Sequence, residues 1–362
     1  MKVAWSELTY QPKKYLLVEG LIVVMMFMVV FLTGLANGLG RDVSAQIEQF
    51  GDRHYLLSDD SKGLITFSNI TAQQSTQLKQ QYGSEGAVLV IQRAAIQAKG
   101  TSEKQDATYF AIAPEEDLNP AVHAGHRLGQ TKGQAVLDES FYDKGLRLGD
   151  RLKDTTTNQW LEVVGFVKDA KYGHSPVIFI SKATYTQLRQ KTMPPYEWQP
   201  QAYSLPKASK LTTVPKGLET YSKAQIIQKI PGYQAEALTL SMIIWVLVLA
   251  SSAILGVFFY ILTLQKLKQF GVLKAIGFSM AQIAGMQLAQ IFLLALAGLG
   301  LGTALAVGLA QVLPKAMPFF LTGTRVGLLA CAFLVIALLC GSLSLFKVRQ
   351  VDPVQVIGGN GE

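Results

Sequence analysis

QKLKQFGVLKAIGFSMAQI, residues 265–283, joins two long apolar runs. It carries three lysines, Lys266, Lys268 and Lys274, and no acid, yet its middle is apolar: Phe270, Val272, Leu273, Ala275 and Ile276. Loops that face water are usually polar, so a bare connector has no need of such a patch. One reading makes the stretch the interfacial end of a helix, with lysine stems lying along apolar surface and their amines in water. The other makes it a short helix, bounded by Gly271 and Gly277, that inserts apolar side chains into a groove on another protein.

The flanking runs decide what this stretch connects. The chain of 362 residues is 49% hydrophobic and 16% charged, which points to a membrane part joined to a soluble part. Four segments are long and apolar enough to cross a bilayer, at 16–39, 238–264, 283–313 and 326–346. Glu19 is the one acid or base inside them, so an ion or proton pathway has little to run on. The first run is too long for a cleaved signal peptide and no small-residue cleavage site follows it, so it is expected to stay as a helix.

Charge placement orients the helices. Lys2, Lys13 and Lys14 precede the first, the three lysines of 265–283 lie between the second and third, and Lys347 and Arg349 follow the fourth. The expected layout is a cytoplasmic segment at 1–15, an outer domain at 40–237, a cytoplasmic link at 265–282, a short outer loop at 314–325 holding Lys315 and Arg325, and a cytoplasmic tail at 347–362. Residues 40–237 hold 23 Lys/Arg against 21 Asp/Glu, so the net charge of +8 belongs mainly to the membrane flanks and no nucleic-acid partner is expected.

The outer segment has the patterning of an α+β domain. VLVIQRAAIQA (88–98), TYFAIAP (108–114), WLEVVGFV (160–167) and PVIFIS (176–181) are predicted strands. Turn material at Gly100-Thr101 and Tyr172-Gly173-His174 separates them. Residues 69–83 and 182–191 are predicted helices, and KAQIIQKIPGY (223–233) leads into the second membrane helix. The fold class is thus a four-helix membrane protein with an α+β domain between helices one and two. Cys331 and Cys340, nine residues apart on one helix, face opposite ways and cannot bond to each other. There is no Gly-Lys dipeptide, hence no P-loop, and neither G-x-S-x-G nor H-E-x-x-H occurs. The chain carries no catalytic constellation of its own. His123 and His126 read as a surface loop, with a metal or haem pair as the alternative.

Phe270-Gly271-Val272-Leu273-Lys274-Ala275-Ile276-Gly277 resembles the ATPase-coupling segment of FtsX-like permeases, E-x-G-x-L-[RK]-A-[IL]-G, with Gln269 in place of the acid. VRQVDPVQVI (348–357) resembles that family's closing motif, and VLDESFYDKGLRLGDRL (136–152) with WLEVVGFVKDAKYG (160–173) resembles the outer domain of MacB-like members. The resemblance implies a homodimeric ABC transporter permease in the cell membrane, served by two copies of a separate cytoplasmic ATPase. Residues 4–39 are similar to the opening of haem exporter permeases of the HrtB kind, found in Gram-positive bacteria, which implies haem as the exported substrate and no permanent cofactor. Export of a peptide or lipid, or transmission of force to an outer partner, is the alternative output of the same machine.

Haem iron accepts Met, His or Tyr, and a carboxylate is conceivable. The candidates near the outer half of the bilayer are Met25, Met28 and Phe31 on helix one, and Tyr233, Glu236 and Met242 at the entry to helix two, with Met28 and Glu236 as iron ligands. Methionine as packing filler is the competing explanation. Met25 and Met28 are expected to share a face. Gly34 and Gly38 form a G-x-x-x-G at which another helix can approach closely.

The layout has a direct check. Cysteines introduced at Ser102 and Ser209 should react with an impermeant reagent added to intact cells, and one at Ser279 should react only after permeabilisation.

Overall fold

The computed structural model describes residues 12–211, 213–314 and 317–349. Most of the closing motif at 348–357, the first eleven residues and Lys315 lie outside them. In chain order the elements begin with α1 (Pro12–Gln49), β1 (Arg53–Ser58), α2 (Ala72–Tyr82), β2 (Ala87–Ala98), β3 (Lys104–Ile112), β4 (Ala124–Gly125), β5 (Gln134–Asp138) and α3 (Ser140–Asp143). They continue through β6 (Arg151–Asp154), β7 (Trp160–Val167), β8 (Lys171–Tyr172), β9 (Ser175–Ser181), α4 (Lys182–Thr192), β10 (Ala202–Pro206), β11 (Leu218–Ser222) and α5 (Lys223–Lys229). The remaining helices are α6 (Tyr233–Gln265), α7 (Leu267–Ala275), α8 (Met280–Ala310) and α9 (Gly323–Arg349). Four of these, α1, α6, α8 and α9, are long and apolar enough to span a membrane. The contacts divide the chain into two compact units, Leu39–Ala237 and the rest.

The outer unit is an α+β domain built on one mixed sheet, in the order β11-β1-β10-β2-β3-β9-β5-β7-β4, with β6 pairing β2 and β7 and β8 pairing β9. The central strands are buried on both faces. Phe110 and Ile112 of β3, with Val177 and Phe179 of β9, enter one core cluster. Tyr109 and Ala111, with Ile178 and Ile180, enter the other, under Tyr185 and Leu188 of α4. That is why TYFAIA and PVIFIS are continuous apolar runs and not alternating ones. The parallel pairings β3·β9 and β5·β7 are the two crossovers in a sheet that is otherwise antiparallel. Short strands such as RHYLLS, QAVLD, AYSLP and LETYS escape a periodicity reading, because pairing with long neighbours makes them strands and their own few residues do not.

The VLDES segment has a structural duty. Asp138 is buried at the end of β5, where its carboxylate accepts hydrogen bonds from the Ser140 amide at 3.0 Å and the Ala170 amide at 2.7 Å. It thereby ties the β5–α3 corner to the β7–β8 turn. Burial holds its carboxyl above the ordinary value, against the Ser140 side chain, those same amides and Lys171, which pull it down. In the LRLGD turn the Arg147 amide donates to Asp150 at 2.8 Å, and the Arg147 guanidinium lies 4.0 Å above the Tyr142 ring.

Helix α1 does not end at Leu39. It continues to Gln49, 38 residues in all and about 57 Å at helical rise. The reason is Val43 and Ile47, four apart and both fully buried in the outer domain's core. Helix α8 begins at Met280 and not at Ile283, because Ser279 and Gln282 form a capping box in front of it.

In the membrane unit, small residues set the helix contacts. A Cβ at Gly302 of α8 would lie 2.8 Å from Met26 Cβ, 2.9 Å from the Phe27 nitrogen and 2.9 Å from the Val23 oxygen of α1. One at Gly298 would land on Ile22. The Cys340 thiol of α9 faces α6, 3.7 Å from the Ser252 carbonyl oxygen, while Cys331 is exposed. Gly341 receives Ile291 of α8. With little hydrophobic force between helices in lipid, such close packing is what holds a bundle together.

Gly34 and Gly38 correct the sequence expectation. They receive the chain just before α9, not a helix. A Cβ at Gly34 would collide with the Phe319 ring, and one at Gly38 would land on the Pro318 carbonyl. The Phe320 amide donates to the Gly34 oxygen at 2.9 Å. Phe319 also tilts against Phe31, 5.6 Å between ring centres.

The α1–α8 seam makes a paired prediction. Gly302→Val should lower the detergent melting temperature, with an overpacking cost of roughly 1–3 kcal/mol. Gly300→Val, where a Cβ would meet nothing within 4 Å, is the control expected to melt like the parent.

Candidate functional site

The link between α6 and α8 is a helix with its own start and stop. Helix α7 ends in a glycine-terminated cap: Gly277 takes φ +103°, its amide donates to the Lys274 oxygen at 3.2 Å, and the Phe278 amide donates to the Leu273 oxygen at 3.0 Å. This is the paired-bond pattern that ends helices on a left-handed residue. Any other residue at 277 would be strained there. Ser279 then caps α8, so four residues turn the chain from one helix into the next.

The apolar patch of α7 divides in two. Phe270 is buried and packs on Ile283 at the start of α8, with Leu267, Leu273 and Met280 around them. Gly271 is buried as well. Val272 is 53% exposed and Ile276 68%, four apart and therefore on one side of the helix. Ala275, Gly277 and Phe278 are exposed beside them, and Lys274 is half-buried. The expectation of one patch containing Phe270, Val272, Leu273 and Ile276 is corrected accordingly. Phe270 and Leu273 seat α7 on its own chain, whereas Val272 and Ile276 stay exposed. The split follows from helical spacing, since 270 and 272 lie about 200° apart around the axis.

A polar cluster beneath α7 was not anticipated. Lys266, the residue between α6 and α7, is 5% exposed. Its ammonium donates to Gln290 Oε1 at 2.5 Å and Gln287 Oε1 at 3.5 Å, and Gln290 Nε2 donates to the Tyr15 hydroxyl at 3.2 Å. The signal in the sequence was Gln287 and Gln290, an i, i+3 pair of amides on an otherwise apolar stretch of helix.

The candidate haem residues are placed as follows. Met25 is buried in the bundle core, while Met28 is 43% exposed. The two therefore do not share a face, because the 60° between them straddles the edge of the buried stripe. Phe31 is half-buried and stacks on Phe27 at 5.5 Å. Met242 of α6 is exposed. In the outer unit, Tyr233 packs against the domain core, and Glu236 Oε1 lies 2.9 Å from His174 Nε2. Glu236 Oε2 is shielded and has no hydrogen-bond partner among the described residues. His123 and His126 are exposed on the strands' rim, with their amides bonded to the Phe166 and Val164 oxygens.

Residues 241–353, which contain α7 and its cap, match the family model described as the FtsX-like permease C-terminal domain. The chain carries an FtsX-like permease domain. Over its full length this permease is 26% identical to a protein of Staphylococcus haemolyticus named as the hemin transport system permease HrtB, with 99% of each chain covered. It is 24% identical to the protein of that name in Staphylococcus epidermidis, again over 99% of each chain. It is 26% identical to an ABC transporter permease of Mycobacterium tuberculosis over 92% of each. Among solved structures it is similar to the periplasmic region of MacB from Actinobacillus actinomycetemcomitans, at 11% identity and TM-score 0.37, covering 53% of this chain and 95% of that one.

The split patch predicts separable effects. On the expectation that an ATPase docks on this face, Ile276→Asp and Val272→Asp should leave the permease inserted and folded but abolish that capture, because a carboxylate in a desolvated groove costs several kcal/mol. Phe270→Asp should instead lower the melting temperature of the permease itself. Pull-down alongside thermal unfolding separates the two.

Proposed function

We propose that this permease is the membrane subunit of an ATP-driven ABC exporter that removes haem from the cell membrane of a Gram-positive bacterium. It works as a homodimer with both termini in the cytoplasm and two copies of a separate ATPase docked on Val272 and Ile276 of α7. The observation that carries the haem reading is end-to-end similarity, 99% of both chains, to proteins named as hemin transport permeases.

Haem enters such a pump from the lipid, because its ring partitions there. Met28 offers a thioether on an exposed part of α1, and Glu236 offers a carboxylate with one shielded, unpartnered oxygen. These two are the proposed iron ligands, with Met25, Phe31, Tyr233 and Met242 as the surrounding candidates. Closure of the ATPases draws the two α7 helices together. Helix α1, unbroken from Pro12 to Gln49, carries that motion as a stiff rod. ATP then shifts the balance between two conformations by contacting them differently.

Titration of the purified permease with hemin, followed by Soret absorption, is the test. Saturable binding is expected in the wild type and weakened binding in Met28→Ala and Glu236→Ala, by about tenfold or more, with basal ATPase activity of the complex retained. A wild-type titration without saturation overturns the haem reading and leaves the peptide or lipid alternative.

A further inference from the structure

Six strands of the outer domain close on themselves. β2 pairs β3, β3 pairs β9, β9 pairs β5, β5 pairs β7 and β7 pairs β6. β6 then returns to β2, with Asp154 opposite Ile96 and Leu152 opposite Ala98. Strand alternation turns Ile96, Tyr109, Leu152, Leu161 and Ile178 into one buried core, and Tyr185 and Leu188 of α4 complete it. The fit leaves a cavity of about 130 Å³ where α4 meets β2, β3 and the start of the β6–β7 turn.

Most of the polar groups around this cavity serve one another. The Tyr109 hydroxyl donates to Asp154 Oδ2 at 3.0 Å, and Asp154 Oδ1 accepts from the Thr157 amide at 2.6 Å and the Thr157 hydroxyl at 2.7 Å. The Tyr185 hydroxyl donates to Gln92 Oε1 at 2.6 Å. Arg189 of α4 is the exception. Its Nε is shielded from solvent and has no hydrogen-bond partner, and no carboxylate pairs with its guanidinium among the described residues. Its Nη2 donates to the Met193 sulfur at 3.0 Å, and a thioether is a weak acceptor.

The chemistry left unmet selects a ligand. A guanidinium without a counter-ion calls for an anion, and its planar fork matches a carboxylate. Asp154 brings a negative charge to the same cavity, which disfavours a dianion such as phosphate. Ala94 and Leu188 make part of the wall apolar. At roughly 10–15 Å³ for each water-sized group, the space holds about ten of them. That is the size of a small aromatic or branched acid, and far too small for a haem ring.

We propose that this cavity binds a small monocarboxylate with a compact apolar body. Its carboxylate pairs with Arg189, and its body lies against Ala94 and Leu188. Such a site does not depend on haem export.

The test uses the full purified permease, with benzoate as the probe and benzamide as its neutral isostere. Calorimetric titration with benzoate should saturate and should raise the melting temperature, and benzamide should bind at least tenfold more weakly. Arg189→Gln should weaken benzoate by about tenfold or more. Ala94→Leu leaves the guanidinium in place but fills the apolar wall, and it should abolish binding. The second variant keeps the test decisive if the first alters α4. Absence of saturable benzoate binding in the wild type, benzamide binding as tight as benzoate, or undiminished binding in either variant would each overturn the site.

Discussion

At Gly302 the backbones of two membrane helices come so close that a single methyl group has no room, with Met26 Cβ, the Phe27 nitrogen and the Val23 oxygen all within 2.9 Å of where it would stand. Much of the membrane unit depends on this seam. It fixes α1 against α8 along several turns, from Tyr15 beside Gln290 to Met26 over Gly302. Lipid tails are as apolar as the side chains they would replace, so association rests on close van der Waals contact and on hydrogen bonds between helices. The seam supplies both: glycine contact in its middle and amide–hydroxyl bonding at its end.

The same seam explains why the link at 265–283 is built as it is. Lys266 cannot lose water without acceptors, and Gln287 and Gln290 provide them. Phe270 packs on Ile283 at the start of α8. With those two anchors in place α7 is seated on its own chain, and Gly277 and Ser279 turn it sharply into α8. Val272 and Ile276 are left outward by geometry. Exposed apolar side chains on a helix that is capped at its end and anchored at its start form a preformed surface, which lowers the ordering cost of docking.

The outer domain obeys a different constraint. Its central strands, buried on both faces, need helices and loops over each side, and α4 covers one of them. Asp138 then locks a corner of the sheet with two backbone hydrogen bonds. Glu236 and Tyr233 sit where α6 begins, after Pro231 and Gly232, and only their chemistry marks them for a ligand.

The sequence alone determined the broad plan. Four apolar runs of bilayer length, an α+β pattern between the first two, and an apolar link that ends in Gly277 are local or compositional properties, readable because each depends on residues near one another in the chain; Gly271, expected at the other end of that link, lies inside α7. Even the final glycine of the coupling motif is local, since the left-handed turn at 277 involves only its neighbours. What tertiary structure alone decided was the direction of each side chain. Phe270 and Leu273 went inward and Val272 and Ile276 outward; Met25 and Met28 parted; Gly34 and Gly38 received Phe319 and Pro318 in place of a helix; and Lys266 became a buried residue. Each of these depends on which distant segment arrives at a given face. Helical periodicity fixes the angles between side chains on one helix, but it cannot say which angle points at a neighbour until that neighbour is packed.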